Sequence, residues 1–407
     1  MNEINHCEVC GNHELTPVLD LGEHPMCDDL VPVGDTRVCR SYPIQILYCS
    51  RCRTAHQRFQ VPKAELFPTT YHYRSRFTAD VLNGMRALVS RCEERYGSLS
   101  GKDVLDIGCN DGSLLGFFAE RGARCIGVEP TDACVEATAR GFATYQAFLT
   151  PEVADQVVAH HGRPSIITFT NVFAHIEDLP SVIESLRRLM GPQTVLVIEN
   201  HYLGAVLERH QFDTFYHEHP RTYSWTSFKY IASSLGAVVD EVEFPSRYGG
   251  NIRVFLTKTP SSERVGAARE ESIKQAEAGF ADAFELMQRR VEVWRERKGA
   301  EVQSLVREHG PLRAKAFPGR AAILVKLLGL DTTTIAAVHE KPGSMKIGHY
   351  LPGTRIPIVS DDVLFEQGDL CRPLLNLAWH ISPEIRRYLA DKGYTGPIVD
   401  ILDAETS

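Results

Sequence analysis

Four short apolar runs in the middle of the chain constrain its fold more than any other feature. They read DVLDIG, ARCIGVEP, SIITFTNV and TVLVIEN, and stretches with helical character separate them. Strands that alternate with helices form a parallel sheet with helices on its faces. The sequence therefore predicts an α/β fold with a Rossmann-like sheet at its centre.

The chain on either side of these runs has a different texture. Six of the eleven cysteines lie in the first 52 residues, which predicts a small N-terminal unit over 1–70. We expect the central α/β domain over 71–260. A proline-free segment rich in Ala, Glu, Arg and Gln predicts a helical linker over 261–310. Apolar runs such as RAAILVKLLGL then return, which indicates a smaller C-terminal α/β domain over 311–407.

Composition and charge exclude several classes of protein. Charged residues make up 24% and hydrophobic residues 43% of the chain, as in ordinary globular proteins. The net charge of −8, without a run of Lys and Arg, argues against a nucleic-acid partner. No segment reaches about 18 consecutive apolar residues and the N-terminus has no targeting pattern, so we expect a cytoplasmic protein without a membrane span. The oligomeric state stays open.

Two C-x2-C pairs lie in the N-terminal unit, one at Cys7 and Cys10 and the other at Cys49 and Cys52. This spacing lets two thiolates on one turn face the same point, and two such pairs complete a tetrahedral shell for zinc. A filled shell leaves no position for water, so the predicted zinc is structural. Buried cysteines without a metal and a redox pair are the alternatives.

A glycine-rich turn follows the first apolar run. It contains Asp106, Gly108, Asn110 and Gly112 in the form D-x-G-x-N-x-G, which differs from the G-x-G-x-x-G of a dinucleotide site. The turn resembles motif I of S-adenosylmethionine-dependent methyltransferases, where the carboxylate meets the amino-acid end of the cofactor. Glu129, which ends the next run, is placed to accept the ribose hydroxyls. NAD binding and a turn without a cofactor are the alternatives.

The same interpretation assigns two further pairs of residues to the cofactor. Asn171 and Val172 close the third apolar run and are expected beside the methionine and sulfonium. Ala147 and Phe148 are expected beside the adenine.

A histidine-rich segment follows the fourth apolar run, at the sheet edge where open α/β folds bind ligands. Its densest part, FYHEHP, contains Tyr216, Glu218 and His219. Because an imidazole titrates near neutral pH, we expect a general base here, with a neighbouring donor for a developing negative charge. A metal site that includes His175, and histidines with only a structural role, are the alternatives.

Several motifs occur in one order along nearly the whole chain. They are the C-x2-C pairs with LDLGEHPM between them, a Y-x-Y before residue 80, D-x-G-x-N-x-G, N-V-x-A-H-I-x-D, YHEH, and GHYLPGTRIPI with LAWHI. Together they resemble the nucleotide-sugar C-methyltransferases of antibiotic deoxysugar pathways. The resemblance implies a zinc-binding domain, a methyltransferase domain that uses S-adenosylmethionine and a Rossmann-like C-terminal domain. It also implies a dTDP-linked 4-keto-deoxysugar substrate, methylated at carbon and most often at C3.

Matching motifs also imply roles for single residues. Tyr216, Glu218 and His219 fall in the active site, and His175 and the Tyr71/Tyr73 pair contribute from neighbouring loops. We further assign sugar or nucleotide contacts to a turn ahead of the last strand of the central domain, for which a purely structural turn is the alternative. The residues of this turn are Arg247, Tyr248 and Asn251.

The expected mechanism starts with removal of a proton next to a ketone. His219 removes or relays that proton, Tyr216 and His175 bind the enolate oxygen, and Glu218 orients an imidazole. An O- or N-methyltransferase needs the same cofactor turn and remains an alternative. A zinc-containing binding module without catalytic activity is a second alternative, from a different class.

Overall fold

A computed structural model describes residues 1–67, 73–261, 264–366 and 369–403. Antiparallel strands dominate the N-terminal unit, which we define as residues 1–67. Its main sheet has the order β12-β5-β4-β2, in which β12 (Arg221–Thr222) comes from a later part of the chain, and its inner face carries Leu19, Leu21, Ile44 and Ile46. The elements of this unit are β1 (Asn2–Glu3), β2 (Thr16–Pro25), β3 (Val31–Pro32), β4 (Ser41–Cys49), β5 (Thr54–Gln57), β6 (Phe59–Gln60) and α1 (Lys63–Leu66).

A seven-stranded sheet, here called the central sheet, follows in the order β13-β14-β11-β10-β7-β8-β9. The four apolar runs form β7, β8, β10 and β11, and these strands pair in parallel. Their side chains are buried because helices cover the sheet. The elements are α2 (Ala79–Tyr96), β7 (Asp103–Ile107), α3 (Ser113–Ala119), β8 (Arg124–Val128), α4 (Ala133–Ala139), β9 (Ala143–Tyr145), α5 (Pro151–His161), β10 (Ile166–Thr170), α6 (Leu179–Leu189), β11 (Val195–His201), α7 (Leu203–Glu208), β12 (Arg221–Thr222), α8 (Trp225–Ser234), β13 (Val238–Glu243) and β14 (Asn251–Thr257).

Two helices, α9 (Ala267–Ala278) and α10 (Phe280–His309), lead to a second parallel sheet, here called the C-terminal sheet. Its order is β18-β16-β15-β19-β20. The run RAAILVKLLGL contains helix α11 and no strand. The elements are β15 (Leu312–Lys315), α11 (Ala321–Leu327), β16 (Ile335–Glu340), β17 (His349–Tyr350), β18 (Ile358–Ser360), α12 (Asp362–Glu366), β19 (Leu374–Asn376), α13 (Ser382–Asp391) and β20 (Ile398–Asp400).

Short strand pairs join the three parts of the molecule. Strand β12, which follows the YHEH segment, pairs with β5 of the N-terminal unit, and β17 pairs with β3. One hydrophobic core also runs through the contact, with Ile46 of β4, Phe284 of α10 and Leu324 of α11 among its members. The fold is therefore α/β, with a Rossmann-like central sheet between an N-terminal unit and a second, smaller parallel sheet.

Within the described residues, no helix combines the length and the apolar character that a membrane crossing requires.

Candidate active site

One cavity of about 630 Å³ lies where the three parts of the molecule meet. The carboxyl ends of β7, β8, β10 and β11 form one side, and loops after β15, β16 and β19 of the C-terminal sheet form another. The N-terminal unit contributes Cys27, Asp28, Lys63 and Phe67. Parallel sheets bind ligands at these ends, so both sheets present their binding edges to the same space.

Asp106, near the end of β7, lines the central part of this cavity. The hydroxyl of Thr168 on the neighbouring strand donates a hydrogen bond of 2.7 Å to its carboxylate. Burial is the main cause that raises the pKa of Asp106 to about 7, although the Thr168 hydrogen bond acts in the other direction. A cationic ligand beside this carboxylate would favour its ionised form.

Glu129, at the end of β8, is held rigidly on the same side. Its carboxylate accepts hydrogen bonds from the backbone N–H of Asn110 at 3.0 Å and from the N–H and hydroxyl of Thr131 at 2.9 and 2.7 Å. Glu129 and Asn110 both line the cavity. Oε1 already accepts both hydrogen bonds from Thr131, so the free lone pair on Oε2 is the position left for a ligand hydroxyl.

The backbone of the glycine-rich turn explains two of its glycines. Gly108 has φ of +73°, and a Cβ there would lie 2.5 Å from a methyl group of Val172, so the two loops approach each other through this position. Gly112 has φ of +74° and faces Ala137 of α4 instead. Of the predicted cofactor residues, Gly112 does not line the cavity, whereas Gly108 and Val172 do.

The remaining predicted cofactor residues also line the cavity. Ala147 and Phe148 lie in the loop after β9, and the ammonium of Lys63 lies 4.6 Å from the centre of the Phe148 ring. Asn171 follows β10 with φ of +55° and donates its backbone N–H to the carbonyl of Glu199. Both predicted pairs therefore line the same cavity, and their assignment to the adenine and to the methionine stays a prediction.

A segment ahead of α2 donates hydrogen bonds to the glycine-rich turn. The backbone N–H of Ser75 donates to the side-chain oxygen of Asn110 at 3.0 Å, and that of Arg76 donates to Asp111 at 2.9 Å. Tyr73, in the same segment, lines the cavity and is 42% exposed. Its predicted partner Tyr71 lies outside the described residues.

The YHEH segment forms a tight turn, and this decides which of its side chains reach the cavity. The N–H of His219 donates to the carbonyl of Tyr216 at 2.9 Å. Tyr216, Glu218 and His219 line the cavity, whereas His217 points away and its Nε2 lies 3.0 Å from the carbonyl oxygen of Tyr42.

Strand β5 of the N-terminal unit holds this turn at both ends. The Gln57 side chain donates to the carbonyls of Phe215 and Tyr216 at 3.0 and 3.3 Å. The backbone N–H of Gln57 donates to the carbonyl of Pro220 at 2.9 Å. The position of the turn therefore depends on the N-terminal unit as well as on the central sheet.

Four histidines gather around the turn. The ring centre of His219 lies 4.8 Å from that of His175 and 5.5 Å from that of His201, and the phenol ring of Tyr216 lies 4.2 Å from it. His380, from the loop after β19, also lines the cavity. Sequence reasoning assigned no catalytic role to His201 or His380.

The surroundings keep these imidazoles neutral. Burial lowers the pKa of His219 well below its ordinary value, and the neighbouring His175 and His201 lower it further. Burial also lowers the pKa of His175. The carbonyls of Thr214 and Glu218 lie 2.9 and 2.7 Å from Nδ1 of His219 and His175, respectively. Since a carbonyl can only accept, Nδ1 carries the proton in both rings, and in His219 Nε2 is left as the basic nitrogen.

Two of the predicted sugar-binding residues lie behind the cavity wall. Arg247 and Asn251 donate to the buried carboxylate of Glu199 at 3.1 and 3.0 Å, and neither lines the cavity. Asn251 also donates to the side chain of Asn171 at 3.3 Å, so it contacts a cofactor-side residue from the rear. The side chain of Tyr248 lies outside the described part of the chain.

The four cysteines form a separate cluster in the N-terminal unit. Their sulfur atoms lie within 4.8 Å of one another, with 3.3 Å between Cys7 and Cys52 and 3.6 Å between Cys10 and Cys49. Tetrahedral zinc with bonds of about 2.3 Å requires sulfur separations of roughly 3.8 Å, so the cluster fits this ion. Among the described residues it is the only group of three or more potential ligands placed to hold a metal, and the histidines around His219 do not form a second one.

Comparisons with known proteins match three successive parts of the chain. A family model described as "Putative zinc binding domain" matches residues 7–67, "Methyltransferase domain" matches 74–242, and "C-methyltransferase C-terminal domain" matches 246–397. C-methyltransferase NovU of Streptomyces niveus is 30% identical over 388 residues, which cover 94% of this chain and 91% of that protein. The chain therefore belongs to the C-methyltransferase family.

Other similar proteins match only part of the chain. The Ubiquinone biosynthesis O-methyltransferase of Sodalis glossinidius is 32% identical over 103 residues, which cover 24% of this chain and 41% of that protein. The structure of magnesium protoporphyrin IX methyltransferase from Synechocystis PCC 6803 with bound SAH is similar over 44% of this chain and 84% of that chain, with 16% identity and a TM-score of 0.35.

The α/β fold class and the family resemblance inferred from the sequence are thus confirmed. The protein is an S-adenosylmethionine-dependent C-methyltransferase with a zinc-binding N-terminal domain.

Proposed function

We propose that this enzyme methylates a dTDP-linked 4-keto-deoxysugar at a carbon next to the ketone, with C3 as the expected position. The observation that carries the proposal is the shared cavity. It brings Tyr216, His175 and His219 together with the cofactor-facing ends of the central sheet. The motif resemblance to nucleotide-sugar enzymes of antibiotic deoxysugar pathways supplies the substrate class.

The chain's own residues fit the cofactor. Asp106 and Glu129 offer carboxylates for a cationic amino-acid end and for ribose hydroxyls, and Phe148 offers an apolar face for a base. When bound there, S-adenosylmethionine supplies a methyl group on a positively charged sulfur, which is already a good electrophile. The demanding task left to the protein is to generate a nucleophilic carbon.

His219 is the proposed base for that task. Its Nδ1–H donates to the carbonyl of Thr214, so the neutral ring presents an unprotonated Nε2. Removal of the proton next to a ketone creates negative charge on the ketone oxygen, which needs a donor. Tyr216 lies partly buried beside His219, and desolvation raises the pKa of its phenol well above the ordinary value, so it remains a proton donor at neutral pH. His175 is proposed as a second contact to this oxygen, and Glu218 as the group that orients an imidazole.

The loops of the C-terminal sheet support an anionic substrate. Lys341 and Lys346 line the cavity in the loop after β16. Cations at this edge complement a diphosphate. The sugar is then placed towards His219 and the nucleotide towards the C-terminal sheet.

Deuterium exchange tests the proton removal without the methyl donor. In D2O and in the absence of S-adenosylmethionine, the wild-type enzyme is expected to introduce deuterium next to the ketone of dTDP-4-keto-6-deoxyglucose. His219→Ala is expected to slow exchange by about 10²- to 10⁴-fold, the usual contribution of a general base. His309→Gln at the end of α10, outside the cavity lining, serves as the matched control.

A carbon-13 spectrum separates the proposal from its rival. Product made with [methyl-13C]S-adenosylmethionine should show a C-methyl resonance. An O-methyl or N-methyl resonance overturns the proposed reaction, and exchange at the wild-type rate in both His219→Ala and Tyr216→Phe overturns the assigned roles.

A further inference from the structure

Arg320 connects the C-terminal sheet to the YHEH turn. It lies in the loop between β15 and α11 and is 7% exposed. Its guanidinium lies 5.1 Å from the ring centre of Trp379, a residue of the loop after β19. Two loops at the carboxyl edge of the C-terminal sheet therefore present one aromatic ring and one cation to the central domain.

The partner of this cation is Asp213, a fully buried residue between α7 and the YHEH turn. Arg320 donates to both of its carboxylate oxygens, from Nε at 2.8 Å and from Nη2 at 2.6 Å. The indole N–H of Trp379 donates to the same carboxylate at 2.8 Å. A buried carboxylate with three donors from another part of the molecule is a rigid connection, because loss of one partner leaves a charge buried without compensation.

The connection continues to the proposed base through one residue. Nη2 of Arg320 also donates to the hydroxyl of Thr214 at 2.7 Å, and the carbonyl of Thr214 accepts the Nδ1–H of His219 at 2.9 Å. Arg320 thus fixes the side chain of the residue whose backbone fixes the imidazole. The orientation of a base decides whether its nitrogen can reach the proton it removes.

We propose that Arg320 is a positioning residue for His219, and that it transmits the position of the C-terminal sheet to the base through Asp213 and Thr214. The inference rests on the proposed role of His219. It goes beyond that role because it makes proton removal depend on a residue about 100 positions away in the sequence, in a different part of the molecule.

A direct contact between Arg320 and an anionic substrate is the competing interpretation, because Arg320 also lines the cavity. The geometry favours positioning, since Nε and Nη2 already donate to buried oxygens. The two interpretations predict different kinetics. Loss of positioning lowers kcat, whereas loss of a substrate contact raises KM for the nucleotide sugar.

The test combines Arg320→Met, Arg320→Lys and Trp379→Phe with steady-state kinetics. Arg320→Met is expected to lower kcat at least tenfold, with KM for the nucleotide sugar within twofold of wild type. Arg320→Lys should recover part of the loss because it restores the charge beside Asp213. Trp379→Phe removes one donor of three and should cause a smaller loss than Arg320→Met. A raised KM with unchanged kcat overturns the inference.

Arg355→Met is the matched control. Arg355 also joins the C-terminal part to another part of the molecule, through the carbonyls of Asp35 and Thr36 at 2.7 and 2.9 Å, but it is exposed and does not line the cavity. This variant should retain the wild-type kcat. Circular dichroism and zinc content check that each variant is folded.

Nuclear magnetic resonance of 15N-labelled histidine separates failure of this inference from failure of the proposed function. The spectrum of wild-type His219, assigned with His219→Gln, should show a proton on Nδ1. In Arg320→Met this signal should shift or split, and in Arg355→Met it should not. This readout needs no sugar turnover. An unchanged His219 signal in Arg320→Met overturns the inference even if the enzyme methylates a nucleotide sugar.

Discussion

The five parallel strands of the central sheet and the five strands of the C-terminal sheet share one order, but the side chains that the two sheets present to the cavity differ in charge. In each sheet the first strand, β7 or β15, lies in the middle, the next strands extend to one side, and the later strands extend to the other. Both place the loops beside this first strand on the cavity. The edge of the central sheet carries Asp106 and Glu129 on the cavity, whereas the edge of the C-terminal sheet carries Lys341 and Lys346 beside Glu340.

Strand order and side chains therefore have separate effects on ligand binding. Strand order places a ligand at the carboxyl edge beside the first strand. The side chains at that edge then select the ligand, because carboxylates attract cationic or hydroxyl groups and basic residues attract anions. Two similar sheets can therefore hold two different molecules against each other in one cavity.

Zinc removal should have the largest effect on activity, because the N-terminal unit holds the YHEH turn between the two sheets. Structural zinc contributes on the order of 10 kcal/mol to the folding of small zinc domains. Treatment with a chelator is therefore expected to abolish methyl transfer, while S-adenosylhomocysteine binding by the central sheet falls much less. Calorimetry and activity assays on the same sample, before and after zinc is restored, check this expectation. Equal loss of binding and activity would contradict it.

Acidification should destabilise the protein through neutral, desolvated histidines in the YHEH turn and in the C-terminal part. Burial lowers the pKa of His217 and of His339 to about 4 and that of His380 to about 3. The unfolded chain, with an ordinary pKa near 6.5, binds these protons first, so the free energy of unfolding falls as the pH drops below about 6.5. At about pH 4, each imidazole lowers the free energy of unfolding by up to about 3 kcal/mol.

Urea unfolding at pH 7.5 and pH 5.0 measures this dependence above the range where most carboxylates titrate. His339→Gln in β16 should reduce this pH dependence of the free energy of unfolding by the contribution of one imidazole. A free energy of unfolding that does not change between the two values would refute the assignment of these rings as neutral and buried.

Glu129→Gln tests the acidic edge of the central sheet. Hydrogen bonds to a charged group contribute about 1.5–3 kcal/mol, so the variant is expected to bind S-adenosylhomocysteine about 10- to 100-fold more weakly. Glu340→Gln is the matched control, because Glu340 ends β16 of the other sheet and also lines the cavity. Its affinity for S-adenosylhomocysteine should stay within twofold of wild type, and calorimetry measures both. Equal weakening in the two variants would remove the proposed difference between the sheets.

Lys341→Met, at the edge of the C-terminal sheet, should cause the smallest effect. Lys341 is partly exposed, so its charge is screened by solvent and its loss should raise KM for the nucleotide sugar by roughly three- to tenfold. Binding of S-adenosylhomocysteine should not change. Lys392→Met is the control, since Lys392 also lies over an aromatic ring, Phe365, but outside the cavity lining. An unchanged KM in Lys341→Met would argue against a diphosphate near this loop.

Features that depend on neighbouring residues could be predicted from the sequence. The apolar runs that form β7, β8, β10 and β11 have the length and flanking turns of buried strands, and the glycine-rich turn follows the first of them directly. The C-x2-C spacing likewise defines each half of the zinc site locally. In these cases the chain within about ten residues carries the whole signal.

Features that depend on distant packing could not be predicted in this way. RAAILVKLLGL reads equally well as a buried strand or a buried helix, and the packing of α11 against the N-terminal sheet decides for the helix. His380 and Arg320 reach the cavity from the C-terminal part, more than 100 residues after the YHEH turn. The LAWHI motif contains His380, but the neighbours of these two residues in the sequence do not indicate that either of them faces the YHEH turn. Arg247 and Asn251 have the right residue types for sugar contacts. Both side chains donate to the buried carboxylate of Glu199 instead and do not line the cavity.

The pairing of β12 with β5 sets an order of events during synthesis. The N-terminal unit cannot complete its sheet until Arg221 and Thr222 have left the ribosome, about 165 residues after β5. At the usual 5–20 residues per second this wait lasts on the order of ten seconds or more. The edge of β5 stays open during that time, so the nascent chain has to keep this edge from pairing with another molecule.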